Sequence, residues 1–151
     1  MKFSHEEEIA VSRAAAFAGF SDLDRLISAV VPGDMALRRQ NHSTPLQPGA
    51  TWQCDVTFHG LQREVTLCLD EITPPDGYAL TGRTSELKVK IAAGFAALAA
   101  DLTLARFDLS VRPCALSGHM LMPPLHLLRP RIEERLVRNI AAMARALETP
   151  A

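Results

Sequence analysis

Apolar and polar residues alternate with a period of two along most of the chain and switch to helical spacing at its two ends. The clearest alternation places Trp52, Cys54, Val56 and Phe58 against Thr51, Gln53, Asp55 and Thr57. One face is greasy and one is wet, the mark of an antiparallel strand covered on a single side. Val65, Leu67 and Leu69 repeat the pattern after His59-Gly60, which predicts a hairpin. Ala105, Phe107, Leu109 and Val111 share a face in the strand over 104–112, which Pro113 closes. Alternation also predicts strands over 35–40, from Tyr78 to Thr84, and from Leu87 to about Ala97, although the alanines after Ile91 would also suit a helix. Pro74-Pro75-Asp76-Gly77 reads as a turn, and Thr44 to Gly49 as a loop.

The first strand, from Phe3 to Val11, alternates too, with a polar first half. Glu6, Glu7 and Glu8 in it read as a solvated edge. Ser12 can cap a helix over 13–20, and Ser21 or Asp22 a second over 23–30, which Pro32-Gly33 stops. At the C-terminus, Leu128, Ile132, Leu136, Ile140, Met143 and Leu147 fall on one stripe of a long helix from Leu125 to Glu148. Arg131, Glu134, Arg135, Arg138 and Arg145 take the opposite face. Leu116 to Met122 predicts a turn or two of helix, interrupted by Pro123-Pro124. Pro130 is expected to kink or start the long helix. One strand, two short helices, about six strands and one long helix make an α+β meander whose face the long helix covers.

That order, carried by the opening strand into Ser12-Arg13-Ala14-Ala15-Ala16-Phe17, by Phe20-Ser21-Asp22 and Pro32-Gly33, by Asp76-Gly77-Tyr78-Ala79-Leu80-Thr81-Gly82 and by the closing amphipathic helix, resembles the START-like superfamily, also called SRPBCC, over essentially the whole chain. The resemblance implies a helix-grip fold: a curved seven-stranded antiparallel sheet around the long helix, with two short helices after the first strand. It implies a cavity between sheet and helix for lipids, sterols, polyketides or other hydrophobic molecules, with cyclisation or dehydration in some members. The sequence departs from the family at Pro123-Pro124 and Pro130, and its aromatic content is low at 5%. These motifs punctuate a fold and do not select a function.

A length of 151 residues predicts one domain, 1–151, large enough for a real core. The formal net charge of −1 removes the basic face that a nucleic-acid binder needs. No apolar run is long enough to span a membrane, and the acidic start is unlike a signal peptide. Cys54, Cys68 and Cys114 are odd in number and widely spaced, which predicts free thiols in a reducing cytoplasm. His5, His42, His59, His119 and His126 lack the ligand spacing of a metal site. Nucleotide-binding glycine motifs and a nucleophile elbow are missing, so no cofactor and no catalytic residue are expected.

Strand parity selects the candidate lining of a ligand cavity: Trp52, Cys54, Val56, Phe107, Leu109 and Val111, with Leu128 and Ile132 from the helix. Leu37 and Arg39 join it from the strand over 35–40, and Arg63 shares a face with Val65 and Leu67. An inward arginine needs a partner or a ligand's polar end; at a strand end it could instead snorkel to water. Three functions stay open: a carrier of a small hydrophobic molecule, a cyclase- or dehydratase-type enzyme, and an interaction module with a filled core.

Overall fold

The computed structural model of the chain describes residues 1–31, 33–42, 45–58 and 60–149. Pro32, Thr44 and His59, which figured in the expected stops and turns, lie outside the described residues.

Seven strands form one antiparallel sheet in the order β1-β7-β6-β5-β4-β3-β2. They are β1 (Lys2–Ile9), β2 (Asp34–Asn41), β3 (Thr51–Phe58), β4 (Leu61–Thr73), β5 (Gly77–Arg83), β6 (Leu87–Ala99) and β7 (Leu102–Pro113). Every pair except β1–β7 joins consecutive strands, as a meander requires. The first and second strands are the two edges, and α1 (Arg13–Phe20) and α2 (Leu23–Val30) connect them. Ser12 caps α1 by accepting from Ala15 N at 3.2 Å. Asp22, and not Ser21, caps α2 by accepting from Arg25 N at 3.4 Å. The Ser21 hydroxyl closes the preceding helix instead, donating to Phe17 O at 2.6 Å. Long β6 reaches Ala99, past the expected end at about Ala97, so period two wins over the helix preference of its alanines.

The C-terminal helix is two helices. α3 (Leu116–Leu127) runs through Pro123 and Pro124, and α4 (Arg129–Glu148) follows after Leu128. Pro130 sits in the first turn of α4, where a missing N–H costs nothing, so it starts the helix and does not kink it. The two α3 prolines lie in an exposed stretch, where the carbonyls they leave free can bond to water. Ile132, Leu136, Ile140, Met143 and Ala144 form the buried stripe of α4, facing the sheet and the two short helices.

The core is aromatic at the end covered by α1. Phe17, Phe20, Tyr78, Phe95 and Phe107 gather there, with the Phe20 and Phe107 rings 5.0 Å apart and Phe17 and Phe95 at 5.8 Å. The Tyr78 hydroxyl donates to Phe20 O at 2.5 Å, and burial pushes its pKa well above the usual phenol range. Tyr78→Phe leaves the ring packing intact and strips the Phe20 carbonyl of a buried donor. It is expected to destabilise the protein by about 1–2 kcal/mol in urea titration. No measurable loss would show that the Phe20 carbonyl has another partner.

The structure differs from the sequence expectation at Glu7 and Arg145. Glu7 is not part of a solvated edge: with His5 it faces inward beneath α4, and both side chains are only 17% exposed. His5 Nε2 lies 3.1 Å from Glu7 Oε2, and Arg145 Nη2 lies 3.5 Å from Glu7 Oε1. Arg145 therefore leaves the outer face of α4 and turns back to β1, where Nη2 also donates to Glu8 O at 2.6 Å.

Candidate functional site

A strongly apolar cavity is lined by residues from the opposite end of the sheet, under α3. Val56 and Phe58 of β3, Val65 and Leu67 of β4, Val89 and Ile91 of β6, and Leu109 and Val111 of β7 form its floor. Phe3 of β1 adds an aromatic wall. The roof is Leu121, Pro124 and Leu125 of α3, then Leu128, and Ile132 of α4. Its volume is about 320 Å³. Aliphatic side chains dominate here because the aromatics have been spent on the α1 end. The expected choice between a cavity and a filled core therefore resolves by position: one end is filled and the other is open.

Six of the eleven expected lining residues meet in this cavity: Val56, Arg63, Leu109, Val111, Leu128 and Ile132. Trp52, Cys54 and Phe107 point inward as their parity demands, but they lie in packed core away from the cavity. Trp52 is 1% exposed; its Nε1 donates to Asp24 Oδ1 at 2.7 Å, which ties β3 to α2. Leu37 pairs with Cys54 but sits on an edge strand, 38% exposed and outside the lining.

Arg39 faces outward, contrary to the parity argument. A bulge between Leu37 and Arg39 inserts Arg38, so Arg39 pairs with Gln53 and joins the wet face. Arg39, Gln40, Asn41, Thr51 and Gln53 then line a polar surface depression. Arg38 Nε lies 3.3 Å from Asp55 Oδ2. The bulge carries no glycine or proline to announce it.

Arg63 is the charged residue of the lining. Its Nε donates to Glu86 Oε1 at 2.5 Å and its Nη1 to Gln62 O at 2.9 Å. The Arg63 side chain is 38% exposed and that of Glu86 14%, so the pair sits at the rim. Thr84 also lines the cavity, and its Oγ1 accepts from Glu86 N at 3.1 Å and Leu87 N at 2.9 Å. The rim's polar groups are thus engaged with one another. Sequence parity could not find Glu86, which lies in the β5–β6 connection. Nor did it offer α3 as a roof, because the expected break at Pro123-Pro124 concealed that helix.

No group of three or more His, Cys, Asp or Glu side chains that could hold a metal occurs among the described residues. The cysteines are free. Burial, with help from Asp24 and Asp55, pushes the Cys54 thiol up to about 11, against 9.0 ordinarily. Cys114 is exposed and Cys68 half-buried. Alkylation at pH 8 with iodoacetamide is therefore expected to label Cys114 first and Cys54 only after unfolding. Rapid labelling of Cys54 in the folded protein, read by peptide mass spectrometry, would contradict its placement.

No protein-family model matches the chain, and no curated protein does. Solved structures do match. A Thermus thermophilus protein superposes with a TM-score of 0.67 at 10% identity, over 99% of this chain and 100% of that one. ZhuI aromatase/cyclase from Streptomyces gives 0.63 at 12% identity, over 96% and 93%. A START superfamily protein from Mycobacterium smegmatis gives 0.55 at 16% identity, over 91% and 97%. At these identities the likeness is one of fold. The chain shares the helix-grip fold of these structures, as the resemblance implied. No helix among the described residues is long and apolar enough to cross a membrane.

Proposed function

We propose that the protein, as one domain over 1–151, binds and carries a small hydrophobic molecule in the cavity beneath α3 and α4. The observation that carries this reading is the chemistry of the lining: about 320 Å³ walled almost entirely by Val, Leu, Ile and Phe. Ligand sites are of this kind, concave and apolar with a few polar groups that orient the guest. Here those groups are Arg63, Glu86 and Thr84 at the rim, where they could meet a single polar end of a lipid, polyketide or aromatic compound. Arg63 and Glu86 already satisfy each other, which favours holding a ligand over acid–base chemistry on it. Three unpaired cysteines suit work in the cytoplasm.

The test is native mass spectrometry of the freshly purified protein, with solvent extraction of whatever it carries. The expected result is an added mass that organic solvent removes, and saturable binding of a neutral probe such as 1-aminoanthracene by the stripped protein. If neither appears, the space beneath α3 is not a binding site.

A further inference from the structure

Three arginines gather on one stripe of α4. Arg131, Arg135 and Arg138 stand at steps of four and three, and all three line an open depression that Asp34 of β2 and Thr57 of β3 close on the other side. Arg135 is the half-buried one. Its Nη2 donates to Gly33 O at 2.8 Å, while its Nε is buried with no acceptor among the described residues. The Gly33 carbonyl is held in place by a close approach to β3. Gly33 has a φ of 107°, and a Cβ there would collide with Thr57 O.

Arg131 and Arg138 are exposed and form no ion pair among the described residues. Two carboxylates, Asp34 and Glu134, line the same depression; both are exposed and likewise form no ion pair there. Burial decides between the two signs. An exposed carboxylate is hydrated, and its attraction for an arginine beside it is weak. A half-buried guanidinium with a bare N–H keeps the cost of the water it has lost. Native proteins leave few such groups unless water or an ion meets them. Three guanidiniums against two carboxylates also leave the depression positive.

We propose that this depression is a binding site for an oxyanion, a phosphate or a carboxylate, held by Arg135 and flanked by Arg131 and Arg138. Guanidiniums suit such a guest because their planar fork of donors meets two oxygens at once. Phe58 and Ile132 line both this depression and the apolar cavity. Two sources therefore offer the same chemistry: a free anion, and the head of an amphiphile whose chain lies in the cavity. The second source rests on the carrier reading; the site itself does not.

Calorimetric titration with inorganic phosphate at constant ionic strength tests the site, and displacement of 1-aminoanthracene by decanoate and by decanol tests the source. The variants are Arg135→Met and the pair Arg131→Gln with Arg138→Gln. The pair changes only exposed side chains, so it should melt with the wild type and keeps the test decisive if Arg135→Met fails to fold. Phosphate is expected to bind the wild type and to bind the paired variant about tenfold or more weakly. Decanoate that displaces the probe at lower concentration than decanol does, with that preference lost in the paired variant, assigns the anion to a headgroup. Equal displacement by the two, with phosphate binding that the substitutions weaken, assigns it to a free anion. A wild type with neither phosphate binding nor a preference for decanoate overturns the site, as does a paired variant that keeps both at wild-type strength. Phosphate binding without any probe binding would keep the site and remove the carrier reading.

Discussion

Replacing Ile140 with arginine is expected to cost about 3–5 kcal/mol of stability, the largest effect of any single change described for this protein. Ile140 is fully buried in the middle of the α4 stripe, among side chains of the sheet and the short helices. A guanidinium there would be buried among apolar side chains. For a chain of this size the melting temperature should fall by roughly 6–20 °C. Ile140→Val, which removes one methylene, should cost only about 0.5–1.5 kcal/mol. The ratio between the two matters more than either value. If arginine were tolerated as well as valine, the stripe would not face the sheet and the grip would be wrong.

The same stripe shows what could be read from the sequence and why. Ile132, Leu136, Ile140 and Met143 are buried because helical spacing leaves them only one side to occupy, and that side was plain from the spacing. The inward positions of β3 and β7 were equally plain, because period two holds without interruption from Trp52 to Val56 and from Ala105 to Val111. Parity fails where one residue is inserted. The bulge in β2 turned Arg39 outward, and no residue type there marks it.

The site itself was half legible, for a different reason. Parity says which side chains point inward but not which part of the interior is empty. Trp52, Cys54 and Phe107 were right about direction and wrong about location. Their place was decided by long-range gathering: aromatic rings from α1, β5, β6 and β7 meet at one end, and Trp52 is drawn to Asp24 of α2. What remains at the other end is mostly aliphatic, with Phe3 and Phe58, and leaves the span beneath α3 unfilled. The prolines compounded the difficulty. Pro123-Pro124 looked like an interruption, and the helix they actually belong to supplies the roof.

Leu128→Trp separates empty space from packed core, because Leu128 and Leu136 lie two turns apart on opposite sides of that boundary. Leu128 lines the cavity and is only partly buried. Leu136 is 3% exposed, in the packed part of the core. An indole at Leu128 can expand into about 320 Å³ of unoccupied volume. It should abolish binding of 1-aminoanthracene and leave the melting temperature nearly unchanged. The same indole at Leu136 has no such room and should cost about 1–3 kcal/mol through displaced neighbours. Trp52 is excluded from the lining, so its emission should respond weakly to the probe in the wild type, and the readout must come from the probe. If Leu128→Trp destabilises the protein as much as Leu136→Trp does, the volume beneath α3 is closed in solution. An interaction module with a filled core would then be the better account of the molecule.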